Sequence, residues 1–193
     1  MKVIGLTGGV GSGKSLVAEL LSGEYGAHLL IADDLGHVVM EPGTEGFADI
    51  VAKFGDGVVR EDGTLDRELL ARKIFEDDQA RRDLDEIIHP AVIRYIEEFI
   101  HSRREERGMI VLESAILFES GCDRFCDSIW YVHVSDRVRE QRLAENRGYS
   151  LEKSQAIMKK QLSEQDFLRK CDLVIENNGT VEELRETLRH MME

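Results

Sequence analysis

The residues Gly8-Gly9-Val10-Gly11-Ser12-Gly13-Lys14-Ser15 follow the pattern G-x-x-x-x-G-K-S/T, and each fixed position has a mechanical task on a polyphosphate. Glycines let successive backbone N–H groups turn toward an anion, Lys14 is suited to the β and γ oxygens, and the Ser15 hydroxyl is a natural ligand for Mg²⁺. The flanks agree with this reading. Val3, Ile4 and Leu6 form a short apolar run ahead of the loop, while Leu16, Val17, Leu20 and Leu21 repeat at helical spacing behind it. A buried strand, a glycine-rich turn and a helix are the elements that such a loop needs.

Further groups lie where chemistry would place them, each with a plainer reading beside it. Asp33 closes a second apolar run and is the candidate base for the proton of an attacking hydroxyl, or else a helix cap. Glu113 ends a third run, suited to orienting a Mg²⁺-bound water or an acceptor, or equally to a surface strand end. Arg67 opens a helix in Asp62-Gly63-Thr64-Leu65-Asp66-Arg67. It fits a substrate phosphate or an exposed first-turn arginine. His89 is a ligand contact or a structural hydrogen-bonding group, and Pro90 is expected to break or kink its helix.

Between Asp136 and Lys170, nine Lys/Arg face six Asp/Glu, a local excess of +3 in a chain whose net charge is -13. Arg137, Arg139, Arg142, Arg147, Lys159 and Lys160 fall on two helices expected to join around Gly148. They form either a mobile lid that closes over phosphates and excludes water, with Arg142 as the preferred clamping residue, or a solvated helical pair.

These groups need a scaffold. Apolar β-like runs at Lys2 to Leu6, His28 to Ala32, Met109 to Leu112, Ile129 to Val134 and Leu173 to Ile175 alternate with helical patterns. That alternation predicts an α/β fold, a three-layer arrangement around a five-stranded parallel sheet, with ligands at the carboxyl ends of the strands. Residues 34–108 read as a helical acceptor-binding insertion and 136–170 as the lid, within one domain over 1–193. The length of 193 residues and 42% hydrophobic content suit one such domain.

The charge of -13 argues against general binding to nucleic acid or an anionic membrane surface. No stretch reaches the ~18 apolar residues of a membrane span, and the first residues lack an apolar signal core. The expectation is a cytoplasmic protein, monomeric or a small homo-oligomer. Cys122, Cys126 and Cys171 are too few and too unevenly spaced for a disulfide framework or a zinc site, and read as reduced structural thiols.

Taken together, these blocks resemble the dephospho-CoA kinase family. Ile4 to Ser15 is similar to its opening, and Ile31-Ala32-Asp33 with His37 and Glu41-Pro42-Gly43 to its second block. Asp62 to Arg67, Ile88-His89-Pro90, Leu117-Phe118-Glu119, Gln141-Arg142-Leu143, Gln161 and Cys171 to Gly179 follow in order.

The resemblance implies a fold like that of adenylate kinase, with ATP and Mg²⁺ as cofactors and dephospho-CoA as the small-molecule acceptor. It also implies that Asp33 is the base and that Gly9 and Gly11 through Leu16 surround the ATP phosphates. Arg142 then belongs to the lid, and Asn178 lies in the loop near adenine. Thr7, His37, Arg67, His89 and Glu113 are implied on the acceptor side.

The chain departs from the family pattern at Ile31, where an acidic residue is usual. Further departures are Glu113 for Asp, Ala115 for Pro, and Asn146 where a second lid arginine is usual. The phosphate loop itself is intact. Another kinase of this fold, acting on a nucleoside, nucleotide or shikimate-like acceptor, would use the same loop, lid and strand-end Asp. A kinase-derived binding protein is a further alternative. A GTPase is disfavoured, because Arg169-Lys170-Cys171-Asp172 lacks the asparagine that guanine recognition requires.

Overall fold

The computed structural model describes residues 1–193 as two compact units, Met1–Leu30 with Arg104–Glu193, and Ile31–Arg103. The first is built on strands β1 (Lys2–Thr7), β2 (His28–Ile31), β3 (Met109–Glu113), β4 (Ser128–His133) and β5 (Leu173–Glu176). Their order is β2-β3-β1-β4-β5. β1 pairs in parallel with β3 and β4, and β4 with β5.

Central strands of a parallel sheet are covered on both faces, so their residues are apolar in succession rather than alternately. β1 is buried from Val3 to Thr7 and β3 from Ile110 to Glu113, whereas the edge strand β5 buries only Ile175. Helices α1 (Lys14–Tyr25) and α9 (Val181–Met192) flank the sheet. Val17, Leu21, Leu184 and Leu188 pack with Leu6, Val111, Trp130 and Val132 in one core. Tyr131, neighbouring Trp130 on β4, is stacked on Phe167 of α8 (Glu164–Lys170), with ring centroids 4.6 Å apart.

The predicted α/β fold, three-layered about a five-stranded parallel sheet, is therefore observed, and all five predicted strands are present with no end shifted by more than one residue. Helices α6 (Asp136–Arg147) and α7 (Leu151–Met158) meet around Gly148, whose φ of 62° lets it close α6 in the left-handed region.

The second unit is helical. It contains α2 (Ala32–Val38), α3 (Glu45–Phe54), α4 (Arg67–Glu76) and α5 (Asp78–Ser102). Ile50, Val58, Leu65 and Leu70 form its buried cluster, with Leu84, Ile87 and Ile88 of α5 packed against them. Asp66 caps α4 by accepting a hydrogen bond from the Leu69 N–H at 3.0 Å.

Of the break or kink expected at Pro90, the break is not found, because α5 runs from Asp78 to Ser102 with Pro90 inside it. An internal proline deprives the carbonyl four residues earlier of its donor and costs about 3 kcal/mol. Ile87 and Ile88 on one side, and buried Ala91 and Ile96 on the other, pack both halves of α5 and offset that loss.

The three cysteines are free thiols. Burial pushes the Cys126 thiol up to about 12 and the Cys171 thiol up to about 11, so neither is a thiolate near neutral pH. No helix is long and apolar enough to cross a membrane.

Candidate active site

The phosphate loop occupies the turn between β1 and α1. Gly13 has φ 87°, the left-handed region, and precedes α1 with no side chain capping the helix. The first N–H groups of α1 are thus left to the loop, which is what an anion site requires. A side chain at position 13 would fall on the Asn177 amide, so the conformation and the space both call for glycine. Lys14 is buried, and its ammonium donates to the carbonyls of Gly8 at 3.0 Å and Gly9 at 3.3 Å. The lysine therefore lies along the inside of the loop.

Two hydroxyls of this segment are buried without a protein partner, Thr7 Oγ1 at the end of β1 and Ser12 Oγ within the loop. Buried hydroxyls in a native fold ordinarily find a hydrogen-bond partner, and a phosphate oxygen is one kind that fits here.

Register places the next group. Leu6 of β1 lies opposite Glu113 of β3, so Glu113 sits at the carboxyl end of the sheet beside the start of the loop. The Ser15 hydroxyl donates to Glu113 Oε1 at 3.4 Å. A hydroxyl and a carboxylate so close are the hard-oxygen donors that suit Mg²⁺, an ion that keeps several waters and takes the rest of its shell from substrate phosphates. The residues present fit that ion.

Groups from distant parts of the sequence hold the loop in place. Asn177, 3% exposed, donates from Nδ2 to the Ser12 carbonyl at 2.8 Å, across 165 residues of sequence. The side chain of Asn178 accepts from the Ser135 N–H at 2.9 Å, and so ties the loop after β5 to the start of α6. Gln161 and Arg139 both bond to Val10. Arg142, one turn beyond Arg139 on α6, is half-buried. Its Nη1 lies 3.7 Å from where a Cβ on Gly13 would be. Leu16 is partly buried in the first turn of α1 and packs on the core of the sheet.

The helical unit carries the remaining candidates. Asp33 is exposed in the first turn of α2, directly after β2. His37 follows at i+4, which places both on one face of the helix. Arg67 is the first residue of α4 and donates to His37 Nδ1 at 2.9 Å and to Glu41 Oε1 at 2.9 Å. Guanidinium has no acceptor, so Nδ1 accepts and the ring proton of His37 is on Nε2. Sequence reading named His37 and Arg67 separately, and the fold brings them into one cluster with Glu41. His89 stands exposed within α5.

Two features were missed from sequence. One is the bond from Asn177 to the loop. The other is His133, which lies 2.8 Å from Glu176 and 3.4 Å from Glu164 and joins the ends of β4 and β5 to the start of α8. A histidine closing a predicted strand was the available signal, but its partners are far away in sequence.

Comparison with known proteins matches this architecture. The family model for dephospho-CoA kinase covers residues 2–183. A dephospho-CoA kinase of Symbiobacterium thermophilum is 42% identical over 96% of this chain and 77% of its own length. A crystal structure of a Thermus thermophilus protein superposes with a TM-score of 0.74 at 30% identity, over 99% of this chain and 96% of that one. A dephospho-CoA kinase from Campylobacter jejuni shares the fold, with a TM-score of 0.72 at 21% identity over 100% of this chain and 96% of the other. By sequence and fold, this chain belongs to the dephospho-CoA kinase family.

Proposed function

We propose that the chain transfers the γ-phosphoryl group of ATP to the ribose 3′-hydroxyl of dephospho-CoA, giving ADP and coenzyme A. The observation that carries this reading is the complete phosphate loop, with Lys14 buried inside it and Ser15 against Glu113, in a chain whose family match runs from residue 2 to 183.

Phosphoryl transfer asks a protein mainly for positioning and charge neutralisation. Lys14 and the N–H groups at the start of α1 hold the β- and γ-phosphate oxygens. Ser15, with Glu113 acting directly or through water, would hold Mg²⁺, which when bound neutralises charge on those oxygens. Asp33 accepts the proton of the 3′-hydroxyl as its oxygen forms the new bond to phosphorus. The bond from phosphorus to the bridging oxygen breaks, and that oxygen leaves on ADP. Arg142 neutralises charge that develops on the transferring oxygens. His37 and Arg67 present donors suited to the phosphates of the acceptor. A cytoplasmic place for this reaction is part of the proposal, in keeping with the family match.

The test is an acceptor panel. Purified protein with Mg-ATP is offered dephospho-CoA, nucleosides, nucleoside monophosphates, shikimate and water in separate reactions. Coenzyme A formed from dephospho-CoA alone is the expected result. Transfer to another acceptor, or hydrolysis without transfer, overturns the assignment.

A further inference from the structure

We infer that Arg139 and Gln161 are positioning residues that lock the outer limb of the phosphate loop, and that Gly9 is glycine because the Arg139 guanidinium occupies the space a side chain would take. The inference rests on the proposed role of the loop in holding ATP. It assigns to Arg139 a task different from that of Arg142 on the same helix.

The geometry is a closed ring around one residue. The Val10 N–H donates to Gln161 Oε1 at 3.0 Å. The Val10 carbonyl accepts from Arg139 Nε at 3.1 Å. Arg139 Nη2 donates to the same Gln161 oxygen at 3.0 Å. Both peptide groups of Val10 are thereby satisfied by side chains from α6 and from the segment between α7 and α8. Arg139 Nη1 also lies 3.5 Å from Asp136, and the Arg139 side chain is only 14% exposed. Its donors are directed at protein acceptors in a largely covered position, unlike those of Arg67, which is exposed and can turn to a ligand.

Gly9 supplies an independent observation. Its φ is not among the positive values found at Gly8, Gly11 and Gly13, so backbone conformation does not demand glycine there. Space does, because a Cβ at position 9 would fall on the Arg139 guanidinium.

The loop has a physical need for such a lock. Residues 8 to 13 include four glycines, and glycine loses more conformational freedom on ordering than any other residue. A loop ordered only by its ligand subtracts that entropy from binding, and a loop already held does not. Asn177 fixes the inner limb at Ser12, and the ring at Val10 fixes the outer one.

The test compares ATP dissociation constants, kcat and KM for Arg139→Ala, Arg139→Lys, Gln161→Ala and the Arg139→Ala/Gln161→Ala pair in the full chain. Alanine at either position should raise the ATP Kd and KM about tenfold with kcat within about twofold. The pair should be no worse than the more damaging single change, since the ring acts as a unit. Lysine at 139 should recover part of the affinity. Gly9→Ala should weaken ATP binding in the native chain and add little in the Arg139→Ala background.

A fall in kcat with unchanged ATP affinity would place Arg139 on the transferring group and overturn the inference. Additive losses at 139 and 161, or an equal loss from Gly9→Ala in both backgrounds, would overturn it as well. The mild lysine variant and Gln161→Ala keep the test open if Arg139→Ala folds poorly. ATP affinity needs no acceptor, so the lock is tested even if the acceptor panel rejects dephospho-CoA.

Discussion

The two units hold most of their candidate groups in different ways, although Ser15 and Asn178 of the sheet unit are exposed. In the sheet unit, Lys14 is 9% exposed, Glu113 6% and Asn177 3%, and the loop is held by bonds to its main chain at Gly8, Gly9, Val10 and Ser12. In the helical unit, Asp33, His37 and Arg67 are all exposed, and Arg67 is held by side chains alone. Main-chain anchors at low exposure give a site fixed before its ligand arrives. Exposed side-chain pairs, worth about 0–1 kcal/mol each, leave groups that reorient at little energetic cost. A triphosphate presents the same oxygens every time and suits a fixed cradle, while a larger acceptor is better met by adjustable side chains.

The sharpest way to break this contrast is Asp33→Asn. General-base catalysis supplies roughly 10²–10⁴-fold, so turnover should fall by about that factor while ATP affinity, measured by calorimetry, stays within about twofold. Equal loss of affinity would mean that the exposed carboxylate serves the nucleotide side. Unchanged turnover would reject it as the base.

The next largest effect should come from Asn177→Ala. It leaves the Ser12 carbonyl without its buried donor, a loss of about 1–3 kcal/mol. Thermal stability and ATP affinity should both drop, with acceptor KM unmoved. If stability falls and ATP affinity does not, the inner limb is not preset.

Arg67→Ala sharpens the other half of the contrast. Loss of a charge-assisted contact to the acceptor should raise acceptor KM about tenfold. Stability should change by less than about 1 kcal/mol, as befits an exposed ion pair. A large stability loss with normal acceptor KM would make the cluster of Arg67, His37 and Glu41 structural.

The smallest effect is a pH dependence at the start of α4. The Asp66 carboxyl lies below its ordinary value of 3.8, chiefly because it accepts the Leu69 N–H, and Arg60 adds to the shift. A folded-state value below the unfolded one means that the cap's contribution is fully present above the unfolded value and is lost as pH falls through the folded value. Protection factors of the amides in the first turn of α4, with the intrinsic exchange rate divided out at each pH, should therefore fall below about pH 4. Asp66→Ser, which caps without ionising, should remove that acid dependence. Persistence of the dependence would show that another group controls the turn.

Legibility from sequence followed distance along the chain. The phosphate loop was readable because its function is contiguous, and the five strands because buried parallel strands are apolar in succession. The turn at Gly148 and the helix that opens at Arg67 were local for the same reason. The break expected at Pro90 is absent because the local cost of an internal proline is offset by packing along both halves of α5. Arg139 and Arg142 looked alike in a basic stretch, since nothing nearby reveals that one of them bonds a carbonyl 129 residues away.

What the sequence determined alone was the presence of a triphosphate cradle, the strand and helix pattern behind it, and the set of charged residues available to act. Tertiary structure decided which of those charges are committed to the protein. Ser15 meets Glu113 across 98 residues, Val10 meets Gln161 across 151, and Ser12 meets Asn177 across 165. Hydrogen bonds at that separation depend on strand order and register, which are settled by burying apolar faces together rather than by any residue's own preference.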